Sequence, residues 1–253
     1  MPDSVPLILP DWPAPATVHA AVSTRARGIS LPPYDSLNLG GHVGDEPAAV
    51  AENRARLRRA LQGRAPCGEP QWLNQVHGVT VIEAADTADV RARWAPDADG
   101  VTTNLPGIPC VVMTADCLPV LFCDRAGTRV AAAHAGWRGL CAGVLEATLA
   151  CFADPAEVLC WLGPAIGPDA FEVGAEVRAA FMAHDAAAET AFQPAATGKF
   201  MADIYLLARQ RLQAAGVAGV YGGDFCTVRD SARFFSYRRD GRTGRMGSVI
   251  WLG

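Results

Sequence analysis

Apolar residues gather along this chain into short, β-branched runs separated by polar and glycine- or proline-rich stretches. Seven runs predict strands: Val18 to Thr24, Val79 to Glu83, Cys110 to Thr114, Val120 to Cys123, Val130 to Ala133, Val158 to Leu162 and Ser248 to Leu252. Elsewhere the period lengthens to that of a helix. Residues 138–152 carry Leu140, Val144, Leu145 and Leu149 on one side, and residues 203–215 carry Ile204, Leu207, Ala208 and Leu212, with Gly216 as a stop. A third helix is predicted over 171–184. Strands and helices do not alternate regularly, so the pattern predicts an α+β protein rather than a doubly wound sheet. The stretch 184–198 reads as a surface loop or insertion, and 31–47 and 63–70 as ordered connections.

A further helix follows GDEPAAV, with Asp45 as its cap, Pro47 in its first turn and an apolar stripe of Val50, Leu57 and Leu61. At about 100° per residue, Arg54 falls about 40° from Val50 on that stripe, whereas Arg56, Arg58 and Arg59 point elsewhere. An inward guanidinium needs acceptors. It is either a snorkelling or ion-paired side chain or a clamp for an anionic ligand.

Composition narrows the partners. Of 253 residues half are hydrophobic, enough for a large core, and a formal net charge of -4 gives no general attraction to nucleic acid or acidic membranes. No apolar run approaches the roughly 18 residues of a membrane helix. The opening MPDSVPLILPDWP lacks the basic start of a secretory signal, so a cytoplasmic location is expected. The eight cysteines lie mostly in apolar segments and form no CxxC pair, so most read as small core residues.

The reactive side chains stand at strand edges. MTADCLPVLFCD sets Asp116 beside Cys117, His77 sits in WLNQVHG ahead of a strand, and His134 closes an apolar strand in AAAHAGWRG. Of the other histidines, His19 lies in a strand, His42 in the glycine-rich turn NLGGHVGD and His184 beside the surface stretch. If the three edges meet, two imidazoles and a thiolate suit zinc, leaving a fourth position open for water or substrate. The same residues also fit a Cys117 nucleophile with His134 as base, or a core cysteine with satisfied histidines. The long separations do not decide between these. Asp116 either orients a ligand histidine or caps the turn after Thr114.

Six segments, SLNLGGHVGD with Asn53-Arg54, LNQVHG, TADCLPV, AAHAGWRG, GPAIGP with FEV, and FFSYRRDGRTGR, resemble the YfiH family, also called the laccase-domain or polyphenol oxidase family and regarded as purine nucleoside phosphorylases. The resemblance runs from about residue 18 to the end. It implies one α+β domain over 1–253, with mixed sheets flanked by helices, of the cytotoxic necrotizing factor/YfiH type. It implies His77, Cys117 and His134 as zinc ligands and catalytic residues, and Arg54 as a substrate-contacting arginine. Asn38 in SLNLG either reaches the ligand or caps a turn. The implied activity is phosphorolysis of adenosine, inosine, guanosine and 5′-methylthioadenosine, with adenosine deamination, by a monomer or homodimer. Its partners are purine nucleosides and phosphate.

The glutamate of the usual zinc deaminase signature, HxE with PCxxC, is absent, so no proton shuttle is assigned. In GWRG, Trp137 reads as packing and Arg138 as the start of a helix. In FFSYRRDGRTGR, Arg233, Arg238, Arg239, Arg242 and Arg245 are either solvated around a turn or hold phosphate. Two other activities stand beside the phosphorylase: a Cys-His hydrolase editing peptidoglycan precursors, and a copper-dependent polyphenol oxidase. Five histidines are few for several coppers, although copper remains the alternative metal for one N/S site.

Overall fold

The computed structural model describes residues 5–84, 95–196, 198–217 and 219–253. In chain order the elements are β1 (Leu7–Ile8), β2 (Val18–Ser23), α1 (Pro47–Gln62), β3 (Val81–Glu83), β4 (Gly100–Thr103), β5 (Cys110–Thr114), β6 (Leu118–Asp124), β7 (Val130–Ala135), α2 (Trp137–Ala142), α3 (Val144–Leu149), β8 (Val158–Leu162), β9 (Glu172–Gly174), α4 (Ala175–His184), β10 (Phe192–Pro194), β11 (Lys199–Ala202), α5 (Ile204–Ala214), β12 (Gly219–Gly222), α6 (Tyr237–Asp240) and β13 (Met246–Leu252).

They form an antiparallel sheet ordered β1-β2-β13-β5, a mixed sheet ordered β12-β8-β6-β7-β4-β3 and a small sheet ordered β10-β11-β9. Only the outer pairs of the mixed sheet, β12 with β8 and β3 with β4, run parallel. The two larger sheets pack face to face. Cys110 and Val112 of β5 meet Leu121, Ala132, Leu159 and Trp161 between the sheets, while Val111 and Met113 turn outward to Leu57 and Leu61 of α1. On the far side, Leu118, Val120 and Phe122 of β6 meet Leu140, Val144 and Leu145, together with Leu207 and Leu212 of α5. Strands covered on both faces read as continuous apolar runs, which is why the sequence displays them so plainly.

The observed mixture of helix and sheet is the α+β class expected, with local differences. The helix expected over 138–152 breaks at Gly143, whose φ of 105° is left-handed and separates α2 from α3. The helix expected over 171–184 begins only at Ala175, because Glu172–Gly174 pairs with β11. The stretch 184–198 is not a plain loop: Asp185 caps a 3₁₀ turn over Ala186–Ala191, then β10 pairs with β11, burying Ala188, Ala191 and Phe192. Residue 197 lies outside the described residues.

Asp45 does not cap α1 either. Glu46 holds the cap position, while the Asp45 carboxylate accepts from the Glu46 amide at 2.8 Å, the Ser30 hydroxyl at 2.6 Å and Asn38 Nδ2 at 2.8 Å. No helix among the described residues is long and apolar enough to cross a membrane.

Leu121 is fully enclosed between the sheets and Leu31 is 77% exposed. Leu121→Ala should therefore lower unfolding stability by about 2–5 kcal/mol in denaturant titration at unchanged m, and Leu31→Ala by less than about 0.5 kcal/mol.

Candidate metal centre

Three chain segments bring the reactive side chains together. Cys117 immediately precedes β6, His134 is the penultimate residue of β7 and pairs in register with Pro119, and His77 lies in the connection leading to β3. The Cys117 Sγ is 3.7 Å from His77 Nε2, and the two imidazoles meet edge to face with centroids 4.8 Å apart. One donor atom from each of His77, Cys117 and His134 lies within 4.8 Å of the others, the sole such group of three among the described residues. Two borderline nitrogens and a thiolate form a donor set suited to zinc.

A carboxylate not singled out in the sequence orders the cluster. Asp99, fully buried just before β4, takes His134 Nδ1 at 2.7 Å, which leaves His134 Nε2 to face the cluster. It also accepts the backbone N–H groups of Val76 at 3.2 Å, His77 at 3.0 Å and Gly78 at 2.6 Å. These bonds hold His77 in the left-handed region, at φ 61°, where a β-carbon is disfavoured. Burial raises the affinity of Asp99 for a proton, but its bonds to His134 and to the Gly78 amide outweigh that and keep it below the usual carboxylate range.

The spacing of glycines in AHAGWRG has a steric cause. A β-carbon on Gly136 would stand 2.7 Å from His77 Cδ2 and 3.1 Å from Cys117 Sγ, and one on Gly139 would stand 2.9 Å from the carbonyl oxygen of Gly78. The start of α2 can approach the histidine loop only without side chains at these positions.

Cys117 and His134 favour each other's charged forms. Burial would push the Cys117 thiol up, but the adjacent His134 and hydrogen bonds from both imidazoles bring it down to about 6. Burial would likewise lower His134, yet Cys117 and Asp99 lift it to about 9. Cys67, Cys110, Cys123, Cys141, Cys151 and Cys160 are instead raised by burial.

The cluster opens onto a cavity of about 290 Å³. Its walls combine the apolar side chains of Met113, Ile166, Phe171 and Ile204 with the rings of Trp137 and Tyr237, and carry His42, Arg238 and Arg245. Asp116 also lines it, and its carboxylate turns to Thr227 Oγ1 at 2.5 Å and the Arg238 amide at 2.6 Å rather than to a ligand histidine.

Arg54 and Asn38 are not among the lining residues. Arg54 lies behind the wall, its Nε bonded to the Leu39 carbonyl at 2.9 Å and its guanidinium over Trp72 at 3.9 Å; burial lowers it to about 10. Asn38 is fully buried. It pairs with Gly40, Asp45 and the Arg245 amide, so it braces the wall from within. The C-terminal arginine segment is not a solvated turn: it forms α6, capped by Ser236, and its cations divide. Arg238 and Arg245 reach the cavity, while Arg233 pairs with Asp230, Arg239 with Asp240, and Arg242 with the Tyr34 hydroxyl. His19 stacks on Trp251, away from the cavity, and His184 ends α4.

A family model described as multi-copper polyphenol oxidoreductase laccase matches residues 19–253. The purine nucleoside phosphorylase of Pseudomonas aeruginosa is 60% identical over 247 residues, covering 97% of this chain and 98% of the relative. The purine nucleoside phosphorylase YfiH of Escherichia coli K12 gives the same identity and coverage. Among solved structures, a Neisseria meningitidis protein superposes with TM-score 0.90 at 52% identity, over 97% of this chain and 98% of that one. YlmD from Geobacillus stearothermophilus superposes with TM-score 0.84 at 31% identity, over 99% of both chains.

Two outcomes test the geometry. In metal-free protein, the ultraviolet thiolate absorbance lost in Cys117→Ala should titrate with a midpoint near pH 6, well below an ordinary cysteine. Asp99→Asn should weaken metal affinity by about 10–100-fold in competition with a chromophoric chelator, since the charge that orients His134 is lost and an NH₂ replaces one of the two acceptors holding the His77 loop.

Proposed function

The chain belongs to the multi-copper polyphenol oxidoreductase laccase family, and on that premise we propose that it is a zinc-dependent purine nucleoside phosphorylase. The observation that carries this reading is the charge of the cavity. Arg238 and Arg245 line it beside the His77, Cys117 and His134 cluster, and among the described residues neither forms an ion pair with a carboxylate. Guanidinium groups without a carboxylate ion pair, beside a metal-type donor set, suit an anionic co-substrate, and phosphate is the one phosphorolysis requires.

The chain's own residues divide the work. His77, Cys117 and His134 would hold the zinc. Zinc, when bound, supplies Lewis-acid polarisation at the open side of the cluster. Among the described residues the guanidinium of Arg245 donates only through Nη1, to the carbonyls of Thr243 and Gly244, which leaves the rest of its fork for phosphate. Arg54, behind Gly41, faces the Glu69 carboxylate on its other side and still sets its positive charge against His42 of the same wall. The rings of Trp137, Phe171 and Tyr237 offer flat apolar faces for a purine.

In the reaction, a phosphate oxygen bonds to ribose C1′ as the C1′–N9 bond breaks and its electron pair leaves with the base. The arginines hold the nucleophile against the positive charge growing on the sugar. Adenosine, inosine, guanosine and 5′-methylthioadenosine are the substrates proposed, with adenosine deamination at the same centre.

The residues fit one zinc better than an oxidase's coppers. A His₂Cys copper site ordinarily adds a weak axial methionine, whereas the Met113 sulfur is engaged by Arg54 Nη2 at 3.9 Å. A second reading rests on the Asp99–His134–Cys117 relay, which has the order of a cysteine hydrolase triad and would work without metal.

Metal content and phosphate-dependent base release separate them. The phosphorylase should carry about one zinc per chain and release base only with phosphate, and Cys117→Ala should lose the zinc and more than about a hundredfold in kcat/KM. A metal-free protein that hydrolyses amide substrates and still needs Cys117 would select the hydrolase.

A further inference from the structure

Asp116 stands next to a cluster residue yet makes no use of its charge there. It is 9% exposed, with φ 91°, and all its acceptors face other segments. Its carbonyl takes the Ile166 amide at 2.9 Å, Oδ1 takes the Thr227 hydroxyl at 2.5 Å, and Oδ2 takes the Arg238 amide at 2.6 Å. The partners come from the connection after β8, the segment after β12 and helix α6. Two of these segments deliver Ile166, Tyr237 and Arg238 to the cavity wall. Downstream, the Arg238 guanidinium is held by the Glu172 carbonyl at 3.0 Å from both Nη atoms.

We propose that Asp116 is a positioning residue: it fixes Arg238 relative to Cys117, so that the anion-holding cation and the metal-binding thiolate keep one spacing. Resting on the phosphorylase reading, this gives Asp116 an effect on phosphate rather than a proton-transfer role, since both its carboxylate oxygens are already occupied by donors from the protein. The buried Thr227 completes the device from the other side, presenting its hydroxyl where a charged acceptor gains most.

Asn at position 116 keeps the shape but loses the charge, so the bonds from the Thr227 hydroxyl and the Arg238 amide become weaker neutral ones whichever way the side-chain amide turns. Asp116→Asn should therefore raise the KM for phosphate by about tenfold while the KM for nucleoside and the zinc content stay unchanged and kcat falls by less than about threefold. Thr227→Val should shift the phosphate KM in the same direction, and Thr227→Ser should restore it. Calorimetric binding of inorganic phosphate to the zinc-loaded protein gives the same comparison without turnover. It tests the positioning role even if no nucleoside is cleaved, an outcome that would overturn the phosphorylase reading alone. A collapse of kcat at unchanged phosphate KM would make Asp116 a proton-transfer group, loss of zinc would make it a support of Cys117, and unchanged phosphate affinity in both variants would remove the role. Each of these three results overturns the proposal.

Discussion

One buried carboxylate does most to define this centre. Asp99 gathers three consecutive amides of the His77 loop and the Nδ1 of His134, so a single charge orients the His134 ring and places the loop that carries His77. An ionised carboxylate taken out of water is costly unless every lone pair finds a donor, and here the donors are the elements that must be held. The rest follows from that cost. His77 tolerates a left-handed backbone because the amides on either side are bound, and α2 can close over the loop because Gly136 and Gly139 leave room.

The sequence discloses those parts of the molecule whose burial leaves a regular trace. Strands β5 to β8 are covered on both faces, so their apolar runs are unbroken, and α1 shows its stripe at helical period. Cys117 and His134 stand out because each interrupts or ends such a run, and His77 because it stands just ahead of one. Asp99 left no comparable sign: its partners lie 21 to 35 residues away, and an acid before a glycine is ordinary turn chemistry. The small sheet was hidden for another reason, its strands of three and four residues being too short to show alternation.

Side-chain direction was the least legible level. Arg54 is drawn inward as its helical period indicates, but it stops behind Gly41 and Trp72 instead of lining the cavity. Asn38 has the polar character of a ligand contact and is wholly spent on Gly40, Asp45 and Arg245. The arginines of the C-terminal segment share one short stretch and meet different fates, because the turn of α6 sends Arg239 to Asp240 and Arg238 to the Glu172 carbonyl. Contacts between distant segments decide these outcomes, and local pattern carries little of that information.

The place of β13 fixes when the centre can mature. This late strand lies between β2 and β5, strands made much earlier, and the residue just before it, Arg245, completes the cavity wall against Asn38. During synthesis the β2 and β5 edges it will join must wait for Met246 onward to arrive. Such long-range closure is slow and leaves strand edges open to other chains meanwhile. The cavity wall is therefore complete only once β13 has paired, and an emerging chain keeps its strand edges open longer than one whose sheet grows in sequence order.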